Sequence, residues 1–489
     1  MKTHYLFLPI FMALIGFSSC EKKFDAMNID PNRPSSATPG VLLGQLQYQL
    51  VNNRLDDAKG LTHTLMQVTA PRADANLNST MRWFISPNSP IWEQYYGRLL
   101  DINDLYLIAE QRGEPNYQAI SLVLKSYVFS ILTDLYGDIP YSEASKGLNG
   151  LFQPKFDKQR DVYTGILADL ETANNLFDAT KPLSFGGDLI YEGDASAANI
   201  QKWKKFANSL RLRTLLRAIN RDSELQVSQQ ITALLADRQT YPIFESNADE
   251  AILHYPGTTP YFNPFYNART FDWRDNHYFT KYFIDPLNDW NDPRRAVWAR
   301  TVTVGGTAVY RGIETGYPIN TEYDVDANSN YTDGLKTSPL LGVLMGYAEV
   351  EFMLAELSLR GFNTGASTRT HYEKGIAAAM NQWGVSVPAG YLAQPGVVFD
   401  EGAPFETKLE KIMRQKYYAL FFTDYQSWFE KRRTGFPVLP KGPSIPASRE
   451  FPRRMPYPLY LQSMNPANLA DAVASMGGDD CYVRVWWDK

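Results

Sequence analysis

Two cysteines in 489 residues, Cys20 and Cys481, are too few for a disulfide framework, so stability must come from packing. Histidine is almost as scarce. No two of the five stand at zinc-ligand spacing, and His254, His277 and His371 read as structural or surface residues. The chain has no G-x-S-x-G elbow, no P-loop, no G-x-G-x-x-G and no H-E-x-x-H. A pair of acids suited to glycoside hydrolysis carries no information here, because 53 Asp and Glu make some such pair available anywhere. The expectation is a protein that is not an enzyme and holds no cofactor or metal. With a net charge of −5 and no Lys/Arg stripe interleaved with aromatics, nucleic-acid binding is excluded as a function class. No low-complexity linker divides the chain, which points to one domain.

Long apolar runs are also few. Residues 5–17, "YLFLPIFMALIGF", fall short of the roughly 20 needed for a spanning helix but suit the apolar part of a signal peptide. Ser18 and Ser19 then precede Cys20, the arrangement of a bacterial lipobox, in which the cysteine becomes the acylated first residue of the mature protein. Two or more acyl chains would give a stable anchor. The other run, "AISLVLKSYVFSILTDLYG" (119–137), carries Lys125 and Asp134 and reads as a buried core helix. The chain is therefore expected to be anchored by lipid, with 1–19 as signal peptide and 20–489 as the folded domain.

Helical periodicity dominates the first half, as in "QRDVYTGILADLETANNLF" (159–177) and "NIQKWKKFANSLRLRTLLRAINR" (199–221). From about 241 to 340 the pattern gives way to Pro, Gly, Asn, Asp and aromatics. Within it "RTVTVGGTAVYRG" (300–312) reads as a hairpin around Gly305-Gly306. Helices resume with "GYAEVEFMLAELSLRG" and "TRTHYEKGIAAAMNQWG", a pair joined by "FNTGAS" with small residues Ala355, Gly375 and Ala378 for the contact. The pair resembles a tetratricopeptide unit. Two further helices are expected in 405–437, divided near Thr423-Asp424, with Lys431, Arg432 and Arg433 facing the helix dipole in the last turn. The tail from about 434 is loop-rich, and "CYVRVWWDK" closes it as an alternating, strand-like segment. The fold class is mainly α: a tetratricopeptide-like helical scaffold with a loop-rich ligand-binding face and minor β-hairpins.

Aromatics are abundant, at 13%. Residues 254–283 hold eleven Phe, Tyr and Trp among Pro, Asn, Asp and Arg. These rings either form a satellite core under the long loops or build a surface that meets the C–H faces of a sugar, with polar neighbours for its hydroxyls. The preferred ligand contacts are Trp273, Arg274, Tyr278 and Tyr266, joined by Trp83 and Asn78 from "APRADANLNSTMRWF" (70–84). "DVDANSNYTD" (324–333) sets oxygens of Asp324, Asp326, Asn328 and Asn330 at alternate positions. Ser329 at the sixth position and Leu335 at the twelfth defeat a calcium-loop reading, leaving a polar surface loop.

In order along the chain, "SSC", "DPNRP", "LYGDIPYSEA", "KWKKFANSLRLRTLLR", "NDPRR", "GYAEVEFMLAE", "QKYYALF", "WFEKRRTGFP" and "VWWDK" resemble the SusD/RagB family of Bacteroidetes surface lipoproteins, in its SusD-like, starch-binding-associated branch. The resemblance implies a helical scaffold of four tetratricopeptide-like units and a loop-borne ligand site. It also implies an outer-membrane, cell-surface partnership with a TonB-dependent (SusC-like) transporter, to which captured oligosaccharide or peptide is handed. Cys20 is the one residue whose role the resemblance carries over directly.

Overall fold

Apolar residues three and four apart build the scaffold. The computed structural model describes residues 38–73, 76–191, 197–318, 325–337 and 339–489. Cys20, the leader and Asp324 lie outside them. Helices α1 (Pro39–Asp57), α2 (Ile91–Arg112), α3 (Pro115–Tyr136), α4 (Gln159–Leu176) and α5 (Ala197–Arg217) each pack on the next. In α4 the buried stripe is Val162, Ile166, Leu170 and Ala173, the spacing that keeps one face of a helix on a neighbour. Helix α6 (Val227–Ala236) returns against α5. Residues Pro39–Lys489 form one unit.

Helix α3 is long and apolar enough to cross a membrane by length and composition, yet it is almost entirely covered by its neighbours. Its two charges are paired: Lys125 with Asp169 of α4 at 2.9 Å, and Asp134 with Arg217 of α5 at 3.5 Å. Burial in protein thus explains its apolarity.

The second helical layer begins at α8, after α7 (Lys281–Asp289), a helix that the loop-like composition of 241–340 conceals. Helices α8 (Tyr347–Leu359) and α9 (Thr368–Gln382) form the expected antiparallel pair. Ser367 caps α9 by accepting from the Thr370 N–H at 3.1 Å. A methyl on Gly375 would stand 2.8 Å from the Phe352 ring, so only glycine lets the two helices approach this closely. Helices α10 (Phe405–Ala419) and α11 (Gln426–Thr434) follow, divided where the sequence places the break.

Two expectations for the C-terminal region are corrected. Lys431 does reach a helix-end carbonyl, that of Gly435, at 2.6 Å. Arg432 and Arg433, however, turn inward and are buried. Arg433 pairs with Glu356 of α8 and with Glu430, and Glu430 also meets Arg217 of α5 and Lys416 of α10. One charged cluster therefore ties four helices together. The terminal "CYVRVWWDK" is not a strand. It ends in a single 3₁₀ turn (Trp486–Asp488), because Trp487 is pulled into the core. Its ring lies 4.4 Å from the Arg432 guanidinium, and its indole N–H donates to Asp134 at 2.7 Å.

Strand structure among the described residues is confined to three two-stranded antiparallel ladders. β1 (Thr69–Pro71) pairs with β3 (His277–Phe279), β2 (Ala251–His254) with β6 (Leu341–Met345), and β4 (Val302–Val304) with β5 (Thr307–Val309). The last is the expected hairpin, turning at Gly305-Gly306. The first matters most for function, because it joins the loop after α1 to the aromatic-rich insert.

Candidate ligand-binding face

The β1–β3 register sets Pro71 opposite His277, so Arg72 and the segment around 275 emerge side by side. The Arg72 N–H continues the pairing by donating to the Asn276 carbonyl at 2.8 Å. From there the Arg72 guanidinium makes a forked pair with the Asp326 carboxylate, at 2.8 and 3.1 Å. The Tyr278 hydroxyl joins both: it accepts from Arg72 at 2.9 Å and donates to Asp326 at 2.8 Å. Arg72 and Asp326 remain solvent-facing, with side chains 39% and 68% exposed. Further along the chain, Asn78 is exposed and accepts from Arg449 at 2.9 Å.

The cluster holds its charges fixed. Hydrogen bonds from Arg72 and Tyr278 keep the Asp326 carboxyl below the usual range, and Asp326 in turn raises Arg72. Burial, then the hydrogen bond to Asp326, pushes the Tyr278 phenol up to about 12. Burial, with the Lys59 ammonium nearby, pushes His277 down to about 3. None of these four groups changes charge between pH 5 and pH 8. Affinity for an uncharged ligand on this face is therefore expected to stay within about twofold across that range. Titration at pH 5, 6.5 and 8 checks it, and a tenfold change would place a titrating group in the site.

The sequence-predicted contacts divide into two groups. Trp273 is fully buried among Phe265, Tyr331 and Phe422, and its indole N–H donates to the Thr332 carbonyl at 3.0 Å. A ring enclosed in this way offers no face to a ligand, so Trp273 belongs to the core. Trp83 is likewise buried, edge-on to Phe451 of the tail at 5.6 Å. Arg274 is turned to Asp333 at 3.2 Å and is only 15% exposed. The Tyr278 ring lies in a small separate core with Ala70, Met81, Ile313 and Tyr317, the satellite core under the loops, and only its hydroxyl reaches the surface cluster.

Asn78 and Tyr266 do remain at the surface, and Tyr266 stacks on Phe262 with ring centres 4.3 Å apart. Phe271 is 55% exposed in the π turn Phe271–Asp275. Two pairs escape reading from the sequence: Arg72 with Asp326, and Arg449 with Asn78, each joined only by the folding of distant segments onto one another. The oxygen-rich 324–333 loop gives no metal cluster among the described residues. Asp326 is committed to Arg72, and Asn330 donates to Asp275 at 3.1 Å.

A family model described as starch-binding, associating with the outer membrane and SusD-like, matches residues 31–458. The chain belongs to the SusD-like family. Solved structures agree with this SusD-like assignment. A SusD homologue from Bacteroides fragilis, 27% identical, superposes with a TM-score of 0.80 over 93% of this chain and 100% of its own. A chitin-binding SusD homologue from Flavobacterium johnsoniae is 26% identical, with a TM-score of 0.77 over 91% and 98% of the two chains. A SusD homologue from Bacteroides uniformis, also 26% identical, reaches 0.77 over 92% and 99%. No curated protein matches the sequence. SusD-like proteins are nutrient-binding proteins of the Bacteroidetes outer membrane, not enzymes.

Proposed function

We propose that this SusD-like chain is a cell-surface lipoprotein, acylated at Cys20, that captures oligosaccharides and hands them to a TonB-dependent, SusC-like outer-membrane transporter. The observation that carries the ligand reading is the exposed Arg72–Asp326 pair, which the Tyr278 hydroxyl joins beside the β1–β3 ladder. Guanidinium and carboxylate oriented by one hydroxyl supply donors and acceptors in a fixed array, as vicinal sugar hydroxyls require. The chitin-binding neighbour supports a glycan as the ligand class. An open polar face of this kind supports affinities of about micromolar to millimolar, about −8 to −4 kcal/mol.

The same electrostatics speak against hydrolysis. A glycosidase needs one carboxyl held protonated near neutral pH, which takes a raised pKa. On this face the Asp326 carboxyl is lowered, by hydrogen bonds from Arg72 and Tyr278. Carboxyls so held act as acceptors and give up no proton.

Isothermal titration against neutral oligosaccharides and short peptides tests the reading. Arg72→Ala removes hydrogen bonds from a charged donor, worth about 1.5–3 kcal/mol, so affinity for the bound sugar is expected to fall about 10- to 100-fold. Unchanged heats for Arg72→Ala, or binding of peptides alone, would overturn it.

A further inference from the structure

A concavity that shares no residue with the Arg72 cluster lies where the start of α1 meets residues 185–189 and the 260–261 turn. It measures about 590 Å³, within the range of small-ligand pockets. None of its eleven lining residues carries a carboxylate, ammonium, guanidinium or imidazole, in a chain where 21% of residues are charged. The lining itself offers no charge to pair with a ligand's; two neighbouring cations, Arg112 and Arg98, are engaged with Phe185 and Gln49.

The lining has three chemical parts. Its rings are Tyr48, Tyr261 and Phe185. Tyr48 and Tyr261 stand edge to face at 5.2 Å, and the Tyr48 hydroxyl is tied to the Phe262 carbonyl at 2.7 Å, which fixes the ring. Phe185 is 39% exposed although Arg112 stacks 5.2 Å from its ring centre. Its amides are Gln45, exposed on α1, and Gln49 one turn further on, held by Arg98. Its floor is bare backbone: a methyl on Gly187, whose φ is +84°, would come within 1.9 Å of the Gly40 carbonyl oxygen. Only glycine allows the 185–187 turn to lie flat on α1 and leave the floor open.

Flat rings beside carboxamides over an uncharged floor fit a ligand with C–H faces and hydroxyl edges and no net charge. We infer that this notch is a second binding site, separate from the Arg72 face, for one or two rings of a neutral oligosaccharide. Tyr261 and Phe185 meet the ring faces, and Gln45 meets the hydroxyls. The inference stands on its own lining and does not require the Arg72 face to bind sugar.

The test uses the full folded chain with maltohexaose, cellohexaose and chitohexaose, and with hexagalacturonate and an apolar octapeptide as controls. Crystals soaked in each probe are expected to show a neutral sugar ring against Tyr261 and Phe185. In an Arg72→Ala background, titration of that sugar is expected to weaken about tenfold or more in Tyr261→Ala and in Phe185→Ala. Gln45→Arg, at an exposed helical position that tolerates arginine, should do the same by placing a charge across the notch, and circular dichroism confirms that each variant is folded.

Density at the Arg72 face only, or none, overturns the inference. So does octapeptide or hexagalacturonate in the notch in preference to neutral sugar, or residual heats unmoved by all three variants. Binding lost with Arg72→Ala while the notch variants are silent sinks the notch. Binding lost with Gln45→Arg while Arg72→Ala is silent sinks the Arg72 face.

Discussion

Arg433→Met is expected to destabilise the fold by about 3–5 kcal/mol, the cost of leaving buried acids without their main partner. The Arg433 side chain is 1% exposed and contacts Glu356 at 2.6 and 2.5 Å and Glu430 at 2.6 Å. Arg433 is the largest charge holding both glutamates below their usual range against the opposing effect of burial. Arg360 remains beside Glu356, and Lys416 and Arg217 beside Glu430, which keeps the loss within that range. The pH dependence follows from the direction of these shifts. Acids with depressed folded pKa values add stability above the unfolded glutamate value near 4.3, and lose it as pH falls through the folded values. The gap between wild type and variant should thus be full at pH 7 and shrink in acid well below pH 4. Urea unfolding at the two pH values measures it, and a variant within about 1 kcal/mol of wild type at pH 7 would show that the cluster does not hold the four helices together.

The other large effect concerns Trp273. Trp273→Ala is expected to cost about 3–5 kcal/mol by opening a cavity between Phe265, Tyr331 and Phe422 and orphaning the Thr332 carbonyl. The folded fraction should keep its sugar affinity, since the ring touches core and not surface. Trp273→Phe, which restores part of the volume but not the indole N–H, should recover part of the stability. Denaturation midpoints together with titrations on the same preparations separate the roles. A Trp273→Ala protein of unchanged midpoint and lost binding would return this residue to the ligand site.

Why an aromatic-rich segment misleads is visible in these residues. Composition shows that 254–283 carries more rings than a loop can cover by itself. It does not show that Phe421 and Phe422 come back from α10 to enclose several of them. Phe265 and Trp273 are therefore core, while Tyr266 and Phe271, in the same segment, keep exposed surface. Charge misleads for the same reason. Arg432 and Arg433 read as cations at a helix end until Asp488 of the tail and Glu356 of α8 supply the carboxylates that allow their burial.

Periodicity, breaks and small residues are local properties. They suffice to set the helical scaffold, the α8–α9 pair, the division between α10 and α11, the 302–309 hairpin and the burial of α3. The family motifs, spread in order from end to end, determined the family. Which polar and aromatic groups share a surface depends instead on contacts between distant segments. Arg72 and Asp326 lie 254 residues apart in sequence and Asn78 and Arg449 lie 371 apart, so no window along the chain holds either pair. They meet because β1 finds β3 and because the tail folds back over the 71–84 loop. Strand pairing and long-range packing set these contacts, and neither leaves a periodic mark in the sequence.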